Sequence, residues 1–213
     1  YNAEKFAVAL SKLGKPWAIV EHGVIAKAYP SCGYTHRVID AAIELRTHDS
    51  FTPDRVTEIV ISIPDYYLDL LTYSDPGSAP EAMFSAEYNG AAALVRGSFD
   101  FDSISESALA CPVIRRLCRC ARIVPREPLD RDVTYDPRDP DWVEVVTQDG
   151  VCRRVEVELP TGSPWKPMTS AQVRAKFDQC TQEQMKRHDA ENLWQWLNAE
   201  QQGAVCDLLA LLK

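Results

Sequence analysis

The residues best equipped for chemistry stand together in the segment Lys27-Ala28-Tyr29-Pro30-Ser31-Cys32-Gly33-Tyr34-Thr35-His36. A cation, a thiol, hydroxyls and an imidazole fall just ahead of a helical pattern. Thr35 is a good N-cap, and the amides and positive dipole end of a helix starting there would form an anion site. Lys27 adds a mobile charge, Gly33 permits close backbone approach, and His36 titrates near neutral pH. The combination suits a carboxylate ligand whose α-carbon gains or loses a proton. Each residue also has an ordinary reading. A lysine before a proline turn is a solvated cation, a first-turn histidine is a cap, and a small thiol is buried packing.

The elements that must position this segment are legible in outline. The first thirty residues read as mostly irregular, punctuated by Pro16, Gly23 and Pro30. A helix is predicted from Thr35 to about Arg46, with Val38, Ile39, Ala42, Ile43 and Leu45 on its apolar face. The β-branched run Val56 to Ile63 reads as a strand closed by Pro64. Ser78-Ala79-Pro80-Glu81 matches a capping box, opening a helix that carries Met83, Phe84, Ala91, Leu94 and Val95 until Gly97 stops it. Cys111 to Cys120 reads as a short helix led by Pro112, and residues 121–125 as a strand. Trp142 to Thr147 and Val151 to Leu159 form a hairpin around Asp149-Gly150. From Thr169-Ser170-Ala171-Gln172 a helical tail runs to Leu212. The fold class expected is α+β: a small sheet with helices on one face in residues 1–168, then a helical tail, 169–213.

Bulk properties exclude several classes. The net charge of −8 argues against a nucleic-acid binder, which needs a basic face. No apolar run approaches the roughly 20 residues that span a bilayer, so no membrane contact is expected. The seven cysteines are odd in number and lack a C-x-x-C pair, which speaks against zinc and iron–sulfur sites and for free thiols in a reducing cytoplasm. The start, Tyr1-Asn2-Ala3-Glu4-Lys5, reads as the interior of a longer protein.

Three blocks carry a family resemblance. The first is Gly14-Lys15-Pro16-Trp17 followed by Lys27-x-Tyr-Pro-Ser-Cys32-x-x-Thr35-His36-x-x-x-Asp40-Ala-Ala. The second is Glu81-Ala-Met-Phe84-Ser85-Ala-Glu-Tyr88-Asn-Gly-Ala-Ala-Ala-Leu94-Val-Arg-Gly97. The third is Gly150, then Gly162-Ser-Pro164-Trp-Lys-Pro167-Met168-Thr and Lys176-Phe177. In order and spacing they resemble the MmgE/PrpD family, which includes 2-methylcitrate dehydratase, cis-aconitate decarboxylase and iminodisuccinate epimerase.

The resemblance implies a C-terminal lid-type portion whose last helices return to a large helical domain, supplied by an upstream segment or a companion chain. It implies a small di- or tricarboxylic acid substrate, no metal or redox cofactor, and a cytoplasmic enzyme, expected to be a homodimer. Lys27 would lie in an interdomain cleft as ligand to a substrate carboxylate, with Ser31 among the substrate-binding residues. His36 is the candidate to move the proton, and Cys32 joins Lys27 and His36 as a catalytic candidate. Decarboxylases can carry His where Cys32 stands, so the thiol argues against decarboxylation. A tyrosine after the first strand can also enter the cleft, and here Tyr66 and Tyr67 both qualify.

The tail supports incompleteness. Val173, Phe177, Leu193, Trp194, Trp196, Leu197, Val205, Leu208 and Leu209 need a helical partner surface. Burying one such side chain contributes roughly 1.5–3 kcal/mol. The competing reading is a catalytically silent binding or interaction module that lacks the helical half. A stand-alone sensor domain would not need so long a helical tail.

Overall fold

The computed structural model describes residues 3–11, 13–14, 16–21, 23–47 and 52–199. They fall into two compact units, 1–167 and 168–213. The first unit is an α+β domain built on a four-stranded mixed sheet of order β2-β1-β3-β4. Its first elements are helices α1 (Ala3–Ser11), α2 (Ala18–Glu21) and α3 (His36–Arg46), then strand β1 (Val56–Pro64). A crossover of four helices follows: α4 (Ala79–Ala82), α5 (Ala86–Arg96), α6 (Glu106–Leu109) and α7 (Pro112–Cys120). It returns the chain to β2 (Ala121–Arg126), parallel to β1. The hairpin β3 (Asp141–Thr147) and β4 (Cys152–Val157) adds to the other edge of β1 in antiparallel pairing. A parallel pair needs such a crossover, whereas the hairpin needs only the Asp149-Gly150 turn, where Gly150 has φ 77°.

Alternation along the strands separates the two faces of the sheet. Ile59, Ile61 and Ile63 of β1, with Val143, Val145, Val155 and Val157, turn to one side. There they join Val38, Ile39, Ala42 and Leu45 of α3 and Ile114 and Leu117 of α7 in one buried core. Helix α5 brings Gly90, Ala91, Ala92 and Ala93 to this layer. A methyl group at Gly90 would already touch Val38 and Ile61 at 3.4 and 3.5 Å. Small residues thus let α5 lie close to α3 and the sheet.

Four local expectations are corrected. Residues 3–11 are helical rather than irregular, consistent with their run of Ala, Glu, Lys and Leu, all strong helix formers. The helix expected from Ser78 to Arg96 is broken in two. Ser78 offers no side-chain cap, and Glu81 instead accepts the amide of Gly77 at 2.7 Å. The second half restarts at Ser85, whose hydroxyl accepts the Tyr88 amide at 3.0 Å. The carbonyl of Met83 is thereby released to accept the Cys32 amide at 2.8 Å. Third, Thr35 precedes α3 but does not cap it by side chain, because its hydroxyl turns back to Ser31 and Cys32. Fourth, a tight turn over Gly33–Thr35 leads into α3, so the Thr35 and His36 amides donate to the carbonyls of Cys32 and Gly33. Those two amides are spent internally and are not an open anion site.

The second unit contains α8 (Ser170–Thr181) and α9 (Arg187–Leu197). Thr169 and Gln172 form the expected capping box. Phe177 and Trp194 meet with ring centroids 5.1 Å apart, and Arg174 lies over the Trp194 ring while pairing with Glu191 at 2.7 Å. Leu193 and Ala190 are buried, whereas Val173 and Leu197 remain exposed. Val205, Leu208, Leu209 and Leu212 lie outside the described residues.

Candidate functional site

The segment from Ala26 to His36 is held at both ends. At the first end the Ala26 amide donates to the carbonyl of Gly162 at 2.9 Å, and the Gly162 amide donates to that of Lys166 at 2.8 Å. Gly162 has φ +93°, and a Cβ there would be driven into the Ala26 carbonyl oxygen, so only glycine allows this approach. The anchor for both stretches is Asp40, on the buried face of α3. Its carboxylate accepts the Tyr29 hydroxyl at 2.5 Å, the Thr161 amide at 2.7 Å and the Lys166 ammonium at 3.3 Å. Burial, then the Asp40 charge, holds the Tyr29 phenol well above its usual range, so it stays protonated and donating. At the other end, Asn89 of α5 donates to the Thr35 hydroxyl at 3.0 Å.

Lys27 is exposed, its ammonium 3.2 Å from the carbonyl of Ser31. Ser31 is only 2% exposed and accepts the Thr35 hydroxyl, so it is a structural neighbour of the lysine rather than a group open to solvent. Cys32 is half-buried. His36, expected to be accessible, is 1% exposed and packs edge-on against Tyr29 with centroids 5.2 Å apart. The segment over residues 29–35 folds back on the start of α3 and encloses the imidazole. Of the two tyrosines after β1, Tyr67 is fully buried and stacked on Tyr34 at 3.9 Å, while Tyr66 is half-buried and meets both edge-on. Burial raises the pKa of both phenols, which keeps them neutral donors.

Beneath these residues lies a buried ion network that sequence reasoning missed. The Arg37 guanidinium, 1% exposed, is 3.5 Å from the Asp141 carboxylate, 0% exposed. It also donates to the backbone carbonyls of Asp136 and Asp139 at 3.0 and 3.1 Å. Arg126 pairs with Asp139 at 2.7 Å and Asp141 at 2.9 Å. Burial pushes the Asp141 carboxyl up to about 6 against the downward pull of both arginines. The network clamps the connection between β2 and β3 against α3. That connection carries Tyr135 to Gly33, where a Cβ would lie 2.7 Å from the phenol oxygen. Arg37 and Asp40 lie one and four residues beyond His36, but a charged residue in a predicted helix normally faces water. The Asp- and Pro-rich sequence around Tyr135 gives no periodic signal at all.

Beside this cluster is a groove of about 630 Å³ lined in part by Ile25, Tyr135, Ser163, Pro164 and Trp165. Close by on the same unit, Phe6, Val8, Leu10, Trp17, Ile19, Val20 and Trp165 each expose more than half of their surface. Among the described residues, no three His, Cys, Asp or Glu are grouped as metal ligands, the six cysteines are free, and no helix is long and apolar enough to cross a membrane.

The arrangement offers an exposed cation, a half-buried thiol and neutral phenol donors around one rigid turn. Such groups bind a carboxylate and meet negative charge developing on it. The model of one family, the MmgE/PrpD C-terminal domain, matches residues 29–198, from Tyr29 in the site segment through α9. No curated protein matches the chain.

Proposed function

Because this chain belongs to the MmgE/PrpD family, we propose that it forms the C-terminal part of a metal-independent lyase or isomerase of small carboxylate-rich acids. The observation that carries this reading is Lys27, an exposed ammonium held near the Ser31 carbonyl on a turn fixed by Gly162 and Asp40. A carbon acid beside a carboxylate is weakly acidic, so turnover needs fixed positive charge where the carboxylate gains negative character. Lys27 provides it, and the accessible Tyr66 supplies a neutral donor. Cys32 is a half-buried thiol in the turn and stands where decarboxylases can carry His, which favours dehydration or epimerisation. His36 is enclosed behind Tyr29 and does not face the substrate in this mechanism, so the principal base comes from the helical domain. The exposed apolar residues from Phe6 to Val20 support a partner domain over that surface, since patches of this kind mark interaction sites. Assembly as a homodimer in the cytoplasm belongs to the same proposal.

The test is turnover by the full-length protein of 2-methylcitrate, cis-aconitate and iminodisuccinate, compared with its Lys27→Ala variant. One of the three should react, and the variant should lose about 100-fold in kcat/KM, the upper end of the range for a lost hydrogen bond to a charged group, because a full positive charge goes with it. Unchanged kcat/KM removes Lys27 from the site. Absence of turnover and of carboxylate binding by the wild-type protein leaves the silent-module reading.

A further inference from the structure

We propose that Tyr135 is a substrate-contacting residue of this site, its hydroxyl donating to a carboxylate oxygen of the ligand beside Cys32. The inference rests on the reading of the site as one for carboxylate-rich acids, and adds a residue that no motif in the sequence marks.

Tyr135 sits in the connection between β2 and β3, which carries no helix or strand. Such a segment would ordinarily be mobile, yet this one is pinned on both sides of the tyrosine. Arg37 holds the carbonyls of Asp136 and Asp139, Arg126 holds the Asp139 carboxylate, and Arg131 pairs with Asp65 at 2.6 Å. Among the described residues Tyr135 is the one non-glycine with positive φ, at 60°. A bulky residue in that region is uncommon and persists when its surroundings fix it. The Arg37 guanidinium lies 5.2 Å from its ring centroid.

The direction of the hydroxyl is what points to a ligand. It reaches Gly33, where any side chain would collide with it. The neighbouring Cys32 and Tyr34 are close enough to act on its titration electrostatically. The buried phenols of Tyr29 and Tyr88 have acceptors in Asp40 and the Ser103 carbonyl, whereas that of Tyr67 is enclosed without one among the described residues. The Tyr135 hydroxyl also lacks a partner among the described residues, but its side chain is only half-buried and lines the 630 Å³ groove, where a ligand can reach it. A donor so placed gains most from an acceptor that arrives through the groove. Burial raises its pKa, so it is a proton-bearing donor at neutral pH and suits an anionic oxygen.

The experiment is titration calorimetry of the full-length protein with tricarballylate, an unreactive tricarboxylate. Tyr135→Phe keeps the ring under Arg37 and removes only the hydroxyl. Affinity is expected to fall about tenfold, the effect of one hydrogen bond to a charged group, with the melting temperature unchanged. Gly33→Ala, which displaces the phenol, should weaken binding similarly, and the double variant should be no worse than either alone. If Lys27→Ala weakens binding and Tyr135→Phe does not, the site reading stands and the role of Tyr135 is refuted. If the wild-type protein does not bind the probe, both fall together.

Discussion

Replacing Gly162 by alanine should release the lysine-bearing segment without dismantling the core. At φ +93° an alanine pays the strain of a backbone region that L residues rarely occupy, roughly 1–3 kcal/mol. Its Cβ would also be forced into the Ala26 carbonyl oxygen, so the two strands of chain must separate. Separation removes the 2.9 Å hydrogen bond from the Ala26 amide to the Gly162 carbonyl, a net loss of roughly 0.5–1.5 kcal/mol. The combined cost is about 2–4 kcal/mol if the stretches part while residue 162 keeps its strained φ, and less if the loop relaxes out of that conformation. The two cases differ in their traces. Urea denaturation reads the first as a lower midpoint. Hydrogen exchange reads the second as faster exchange of the Ala26 and Gly162 amides, with the amides of α3 and β1 unchanged. Either way Lys27 loses its fixed place, and turnover by the full-length protein should fall with it. An alanine variant with native midpoint, native exchange at Ala26 and native turnover would refute the reasoning.

Two further outcomes follow from the buried carboxylates. Asp40→Asn removes a charge that accepts from Tyr29, Thr161 and Lys166 and turns an amide donor toward one of them, so urea denaturation should show a loss of about 2–3 kcal/mol; a loss below about 0.5 kcal/mol would show that Asp40 is not the anchor. Asp141 titrates near about 6 in the folded protein and near the ordinary ~3.9 when unfolded, so folding favours its protonated form. Its contribution is fully present below pH ~4 and lost as pH rises through about 6, a change of about 3 kcal/mol. The difference in stability between the wild-type protein and Asp141→Asn should therefore move across that window, and a difference independent of pH would contradict the buried-acid account.

What the sequence determined by itself is the set of local devices whose signals lie within a few residues of each other. The alternation of β1, the Asp149-Gly150 turn, the stop at Gly97, Pro112 at the start of α7 and the Thr169–Gln172 capping box all follow from period, backbone freedom or side-chain reach. The three motif blocks likewise announced the family, and all three meet in space: the first joins the second through Cys32 with Met83 and Thr35 with Asn89, and the third through Asp40 with Lys166.

Tertiary structure alone decided the rest, because the competing local rules there are overruled by partners far along the chain. Thr35 had the chemistry of a cap, but Ser31, Cys32 and Asn89 claim its hydroxyl. The helix from Ser78 broke where Met83 met Cys32, a contact between residues fifty-one positions apart in number. Exposure was the least readable property: Tyr66 and Tyr67 are adjacent and chemically identical, yet packing against Tyr34 buries one and leaves the other half-open. Arg37 and Asp141 are charges that pattern alone sends to the surface, and Tyr135 is a loop residue without a motif. Each found its place through partners about a hundred residues away in the chain, which no local window of sequence contains.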